Sequence, residues 1–168
     1  MEPRKPRRPP WHWLIAPIAS LPPVAALSRR TLHLLDRPLM RLTGGRLSSV
    51  SGYPSLLLTT TGAKSGRPRT VPLLYLETGE SIAIIGSRFG STRHPGWYHN
   101  LRACPEAEVE IGGERRRYTA READDDERAE IWRRAVEMYP GYDKYRSRAG
   151  RTIPVIVLTP LAGEPRLP

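Results

Sequence analysis

The chain has 168 residues, enough for one ordinary domain with its own core and too few for two. Its formal net charge of +10 implies an anionic partner, which leaves nucleic acid, acidic lipid or a multiply charged small molecule. A single cysteine, Cys104, excludes an intrachain disulfide and predicts a reducing compartment, the cytoplasm. The four histidines have no spacing typical of a metal site, so no metal is predicted.

Residues 1–23 form a basic, proline-rich leader in which Trp11 and Trp13 precede an apolar stretch. Prolines break this stretch, which is shorter than the roughly 20 apolar residues that a membrane span needs. It has some features of a signal peptide. Two further interpretations stay open: the leader lies on an anionic membrane at its inner face, or it packs on the folded domain. Residues 24–45 predict one helix or two short ones, because leucines recur there at helical spacing.

Residues 46–168 predict one domain in which the apolar pattern changes from helical to alternating. Strands are predicted by β-branched and apolar runs over 55–61, 70–77, 81–87, 107–111, 115–121 and 153–159. Helices are predicted over 95–103 and 124–139. Strands joined by hairpins, with helices between them, predict an α+β fold: a split β-barrel of about six mainly antiparallel strands.

The segment 60–69 combines three cations and two glycines in one predicted hairpin loop. The glycines would let backbone N–H groups turn inward as an anion-binding nest. The side chains of Lys64, Arg67 and Arg69 would add charge-assisted hydrogen bonds to phosphate or carboxylate. A solvated turn is the alternative interpretation.

Three further segments have the composition of a ligand site. Residues 86–90 place small residues around Arg88, and the aromatic turn 95–101 could cover a flat ring or pack in the core. Three tyrosines follow at three-residue steps in 139–145, so they would share one face of a helix. Their phenols could bind or protonate a substrate oxygen, or make purely structural hydrogen bonds. The residues alone therefore indicate a basic barrel that binds a flat anion.

Four segments in this order closely resemble the deazaflavin-dependent nitroreductases, also described as F-420-dependent quinone reductases. They are LLLTTTGAKSGRPRTVPLLYL, GSRFG, HPGWYHNL and MYPGYDKYRSRAGRTIPVIVL, within about residues 40–160. The resemblance implies a split barrel related to flavin-binding barrels. It also implies hydride transfer from reduced coenzyme F-420, an 8-hydroxy-5-deazaflavin with an oligoglutamate tail. The acceptor would be a quinone, a nitro compound or another activated double bond.

The resemblance also implies roles for individual residues. The cofactor would be bound by Lys64, Ser65, Gly66, Arg69, Pro72, Ser87, Arg88, Trp97 and Asn100. The substrate side would be lined by Tyr139, Tyr142 and Tyr145, with Tyr142 or a water as the proton donor. Two departures stand out. Leu74 occupies a position where some nitroimidazole-reducing members have tyrosine, and Arg88 replaces a lysine, which keeps the charge and changes the hydrogen-bond geometry.

Two rival functions remain. A related barrel could hold flavin mononucleotide or a haem-type ligand, but the cations exceed what one phosphate needs. A non-enzymatic binder of acidic membrane or nucleic acid is the other rival. Nucleic-acid binding is not predicted, because the charges cluster in two loops and the aromatic residues lie elsewhere. The predicted partner is a small-molecule electron acceptor, and the predicted state is a monomer or weak dimer.

Overall fold

A computed structural model describes residues 52–161 of the chain. The chain divides into two units, Met1–Tyr53 and Pro54–Pro168, and every element described below lies in the second unit. The predicted leader, 1–23, and the predicted helical segment, 24–45, lie outside the described residues.

Six strands form a closed antiparallel barrel in the order β1-β2-β3-β6-β5-β4, and β4 pairs with β1 to close it. The predicted six-stranded barrel is therefore confirmed. The strands are β1 (Ser55–Thr61), β2 (Pro68–Thr78), β3 (Ser81–Ile85), β4 (Glu106–Ile111), β5 (Glu114–Glu122) and β6 (Val155–Pro160).

The barrel is split within β2, which changes partner along its length. Its first part pairs with β1 up to Leu74, and the remainder pairs with β3 from Tyr75 to Thr78. The stretch before Tyr75 therefore has one edge outside the ladder. Proline lacks an N–H and fits a strand only at such an edge, which explains why Pro72 is tolerated there.

Strands β3 and β6 are buried on both faces, because one face lines the barrel interior and the other is covered by helices. In β3, Ile82 and Ile84 join the interior cluster with Leu56 and Leu58, whereas Ala83 and Ile85 join a second cluster. This second cluster is formed with the helices that follow β5. The alternation follows from the two-residue period of a strand.

Three α-helices occur within 52–161: α1 (Gly96–Ala103), α2 (Asp125–Met138) and α3 (Gly141–Ala149). Helix α1 contributes Trp97 and Leu101 to the interior cluster. The other two helices contribute to the second cluster, which contains Trp132 and Tyr142. No helix in this part of the chain is both long and apolar enough to cross a membrane.

Several strands begin or end at residues other than those predicted, and local hydrogen bonds explain some of these differences. The predicted strand 81–87 ends at Ile85, because the N–H of Gly86 donates to Pro154 (2.8 Å) and that of Ser87 folds back onto Ile85 (2.9 Å). Strand β2 begins at Pro68 rather than at Thr70, since the ladder with β1 extends to Thr61. The predicted strand 153–159 begins only at Val155.

The N-terminus of α2 provides a stability test. The Asp124 carboxylate accepts a hydrogen bond from the Glu127 N–H (2.9 Å), which caps the helix. We expect Asp124→Ala to lower the free energy of unfolding by about 1 kcal/mol in urea titration. Asp126→Ala is the matched control, because Asp126 lies in the same first turn and is not the cap residue. Equal losses in the two variants would assign the effect to charge rather than to capping.

Candidate functional site

The loop between β1 and β2 is folded back on itself by its own backbone. The N–H of Gly62 donates to Arg67 (2.9 Å), and the N–H groups of Ser65 and Gly66 donate to Gly62 (3.1 and 2.8 Å). Gly66 has φ of 62°, and a Cβ on Gly62 would lie 2.7 Å from the Ser65 hydroxyl. Because these N–H groups donate within the loop, they do not form the predicted anion nest. Anion binding in this loop therefore falls to its side chains.

Asn100 of α1 fixes this loop to the barrel. Its Oδ1 accepts from the Ala63 N–H (3.0 Å), and its Nδ2 donates to the Thr60 hydroxyl (2.9 Å). Thr60 is only 2% exposed and donates in turn toward the Arg69 carbonyl (3.4 Å). Asn100, predicted from the resemblance as a cofactor ligand, thus has both ends of its amide committed to positioning the loop.

The cations of this region lack acidic partners. Within residues 52–161, no carboxylate pairs with Lys64, Arg67, Arg69 or Arg88, and all four side chains are exposed. Some arginines elsewhere on the barrel have carboxylate partners, as in the Arg115–Glu110 pair of the β4–β5 hairpin (2.8 Å). The local excess of positive charge fits an anionic ligand.

A second loop follows β3 and contains a 3₁₀ turn at Arg88–Gly90. Ser87 is buried there, whereas Arg88 is exposed and donates from Nη1 to the His94 carbonyl (3.1 Å). Arg88 and Phe89 both have positive φ, 45° and 56°, which is unusual for residues other than glycine. Gly90 packs closely on α3: a Cβ there would lie 3.1 Å from the Tyr145 backbone.

Arg151 contacts this second loop and was not predicted as a site residue. Its guanidinium donates to the carbonyls of Gly86 (3.0 Å), Ser91 (3.1 Å) and Arg93 (3.2 Å). It also contacts the Nδ1 of His94 at 3.2 Å. Since arginine only donates, that nitrogen must be the unprotonated acceptor. In the sequence, a cation after a glycine at a helix end is indistinguishable from a surface charge, so no signal pointed to it.

The aromatic turn at α1 packs mainly into the core. Trp97 is 6% exposed and belongs to the interior cluster. The Tyr98 hydroxyl donates to Glu122 (3.1 Å), and burial together with this bond raises the pKa of Tyr98. The His94 ring lies against Tyr98 at 4.8 Å, and burial followed by the nearby Arg151 charge lowers the pKa of His94. The turn is thus rigid, and a contact of Trp97 with the cofactor stays a prediction.

The three predicted tyrosines do come together. Tyr139 ends α2, and Tyr142 and Tyr145 lie on α3, with ring centroids 5.4–6.2 Å apart. The hydroxyls of Tyr139 and Tyr145 lie 3.1 Å apart, in hydrogen-bonding contact. Tyr142 is only 5% exposed, and burial, with smaller contributions from the other two phenols, raises its pKa. The ring of Phe89 lies edge-on to Tyr145 at 6.0 Å.

These contacts connect the predicted site residues into one continuous region, which we call the cofactor arc: residues 60–69, 86–94 and 97–100. Asn100 joins the first loop to α1, and His94 joins α1 to the second loop through Arg88. Phe89 then joins the second loop to the tyrosines. Pro72 lies in β2, the strand that begins at the first loop. It pairs with β1 on one edge, and its other edge faces no strand of residues 52–161, because pairing with β3 begins only at Tyr75.

A separate groove of about 750 Å³ lies between α2, α3 and residues 151–153. It is lined largely by charged side chains and includes none of the predicted site residues. Over residues 52–161, no three histidine, cysteine or acidic side chains are grouped so as to hold a metal ion.

The closed six-stranded barrel, divided within β2, places the protein in the class of split β-barrels. A family model described as F420H(2)-dependent quinone reductase matches residues 32–160. An F420H(2)-dependent quinone reductase of Mycobacterium tuberculosis strain H37Rv is 43% identical over 130 residues, which cover 74% of this chain and 87% of that protein.

Two solved structures extend the likeness. One, described as an F420-H2 dependent reductase, is 42% identical with a TM-score of 0.58, covering 62% of this chain and 93% of that one. Another, described as a domain-swapped dimer, is 37% identical with a TM-score of 0.59, covering 81% and 98%. The chain belongs to the F420H(2)-dependent quinone reductase family. It is an oxidoreductase whose cofactor is coenzyme F-420 and whose acceptor is a quinone.

The role of Asn100 generates a test. We expect Asn100→Ala to lower the free energy of unfolding by about 1–2 kcal/mol, because the buried Thr60 hydroxyl loses its donor. The loop should also exchange its amide hydrogens faster, since the Ala63 N–H is released. His99→Ala is the matched control from the same helix, because His99 is exposed. Unchanged stability and exchange in Asn100→Ala would contradict the positioning role.

Proposed function

We propose that this chain binds reduced coenzyme F-420 along the cofactor arc and passes its hydride to a quinone near the tyrosines. The observation that carries the proposal is the clustering of four exposed cations on two loops, Lys64, Arg67, Arg69 and Arg88, none of which has a carboxylate partner within residues 52–161. The cofactor has a phosphodiester and several glutamate carboxylates, so its charge matches that of the arc.

The first loop would hold the anionic part of the cofactor through side chains. The N–H groups of its two glycines bond within the loop, so we assign the charged contacts to the side chains of Lys64 and Arg69. The Ser65 hydroxyl accepts only a long bond from the Arg67 N–H (3.4 Å), so its own hydrogen remains available to a phosphate oxygen. Gly66 contributes its left-handed conformation, which lets the loop turn sharply beside them.

The second loop and the β2 edge would bind the remainder of the cofactor. Ser87 and Arg88 would supply a hydroxyl and a second cationic contact, because both lie at the 3₁₀ turn next to the tyrosines. Pro72 would present an apolar edge without an N–H to a flat ring. Trp97 would support the ring site through its packing in the interior cluster.

When bound, the cofactor supplies the hydride. The protein's share is to bind, to orient and to keep water from the reacting atoms. A proton must also reach the reduced quinone oxygen, and we propose that the hydrogen-bonded hydroxyls of Tyr139 and Tyr145 deliver it. Tyr142 was the predicted donor, but its burial and raised pKa make it a poorer acid and support a packing role beside the pair.

Among the rival functions, single-stranded nucleic-acid binding has little support. It uses exposed aromatic side chains as stacking platforms, whereas Trp97 and Tyr98 are buried beside the basic loops. We also propose that the protein acts in the cytoplasm, which suits its lone Cys104, as a monomer or weak dimer.

Measurement of cofactor affinity tests whether the cations of the cofactor arc bind the cofactor. We expect Lys64→Ala and Arg69→Ala to weaken binding by about 1–3 kcal/mol each in fluorescence titration, with affinity falling as salt rises. The control is the double variant Arg115→Ala/Arg117→Ala, which removes the same charge from β5, where both arginines have acidic partners. Equal losses in this control and in the Lys64→Ala/Arg69→Ala double variant would mean that diffuse charge, not this loop, holds the cofactor.

Single-turnover oxidation of the bound reduced cofactor by a soluble quinone tests the proton donor. Tyr145→Phe should slow the reaction by about 10²–10⁴-fold, the usual range for general acid catalysis. Tyr142→Phe should leave the rate within a few-fold. The reverse pattern would restore Tyr142 as the donor, and two unaffected variants would leave water as the proton source.

The leader 1–23 is proposed to contact anionic membrane peripherally, because it combines basic residues with Trp11 and Trp13. Full-length protein should sediment with vesicles that contain phosphatidylserine and not with neutral ones. A variant lacking residues 1–23 should stay in the supernatant and still bind the cofactor. Failure of the full-length protein to sediment would remove the membrane contact from the account.

A further inference from the structure

The guanidinium of Arg151 reaches both limbs of the loop that follows β3. On one limb it donates to Gly86 (3.0 Å) and toward Ser87 (3.5 Å), and on the other to Ser91 (3.1 Å) and Arg93 (3.2 Å). These carbonyls lie beyond the end of β3 and have left the ladder. One side chain thus supplies donors to carbonyls on both limbs, in addition to the turn's own bonds from the Gly90 N–H to Ser87 (3.0 Å) and from the Ser91 N–H to Arg88 (3.1 Å).

The loop needs such a restraint because its centre is strained. Arg88 and Phe89 lie in the left-handed region, with φ of 45° and 56°. Residues other than glycine stay there only where the surrounding structure forces them to. Gly90 lies against the Tyr145 backbone of α3, and Arg151 bonds to the carbonyls of Gly86 and Ser91, which precede and follow the turn in the chain.

Arg151 and Arg88 are also joined through one residue. Arg151 donates to the Nδ1 of His94 (3.2 Å), while Arg88 donates to the carbonyl of the same histidine (3.1 Å). The two cations are therefore held close together despite their repulsion. Burial, then the Arg88 charge, lowers the pKa of Arg151. The direction that the Arg88 side chain takes depends on a backbone that Arg151 holds.

We propose that Arg151 is a positioning residue for the cofactor site: it holds the Arg88–Gly90 turn in its left-handed conformation, so that Ser87 and Arg88 meet the anionic cofactor, without touching the cofactor itself. The proposal rests on the proposed function. It requires the five-donor fork of arginine, because the single ammonium of lysine cannot serve carbonyls on both limbs.

Deazaflavin titration of Arg151→Lys and Arg151→Ala tests this inference, with folding checked by circular dichroism. Both variants should bind about tenfold or more weakly, the scale of a misplaced charged contact. Arg133→Ala is the control, because it removes one exposed charge from α2 and should change affinity less than twofold. If Arg151→Ala does not fold, the lysine variant decides. Wild-type affinity in Arg151→Lys would overturn the proposal.

Second-site variants distinguish a positioning role of Arg151 from direct contact between Arg151 and the cofactor. Asparagine tolerates the left-handed region better than phenylalanine, so Phe89→Asn should recover most of the affinity that Arg151→Lys loses. In an Arg88→Ala background, Arg151→Lys should cost less than in the wild type, since the positioned ligand is already missing. Arg151 would instead bind the cofactor directly if Phe89→Asn restored no affinity and if Arg151→Lys weakened binding as much in the Arg88→Ala background as in the wild type. Wild-type protein that does not bind deazaflavin would instead refute the proposed function.

Discussion

Backbone groups that leave a sheet ladder must find other partners, and this requirement shapes the whole site. The barrel supplies ladder bonds to its six strands, but the two loops of the cofactor arc project beyond them. Asn100 supports the first loop from α1, and Arg151 supports the second from the segment before β6. Each loop thus combines its own backbone hydrogen bonds with support from one side chain that is distant in sequence, which keeps the exposed cations on a defined backbone.

Charge is distributed unequally around the barrel. In the β4–β5 hairpin and α2 several arginines pair with glutamates, as in Arg121 with Glu127 (2.6 Å). Within residues 52–161, Lys64, Arg67, Arg69 and Arg88 of the cofactor arc have no carboxylate partner. Clustered like charges oppose folding, and an anionic ligand that binds only the folded state offsets that cost. Cofactor binding should therefore stabilise the protein, by an amount that grows with the logarithm of the ligand concentration once this exceeds Kd. At the proposed site, the same uneven charge would favour a polyanionic cofactor over a neutral one.

The sequence predicted the barrel well because its patterns are local. The β-branched run at Ser55–Thr61 and the turn residues after it predicted the full extent of β1. The aspartates at the start of α2 predicted where that helix begins. The sequence could not predict that Tyr142 is buried while Tyr139 and Tyr145 share a hydrogen bond. The three-residue spacing places the tyrosines near one another, but it does not say which of them packs between the two helices. Arg151 was missed because its partners lie about 60 residues away in the chain.

The most direct test of the account is a titration of isotope-labelled protein with oxidised coenzyme F-420, followed by amide chemical shifts. The account predicts that the largest shifts fall on Lys64, Arg69, Arg88 and Asn100, with the β4–β5 hairpin at Gly112 unaffected. Shifts centred instead on the groove between α2 and α3, at Arg128 and Arg146, would contradict it.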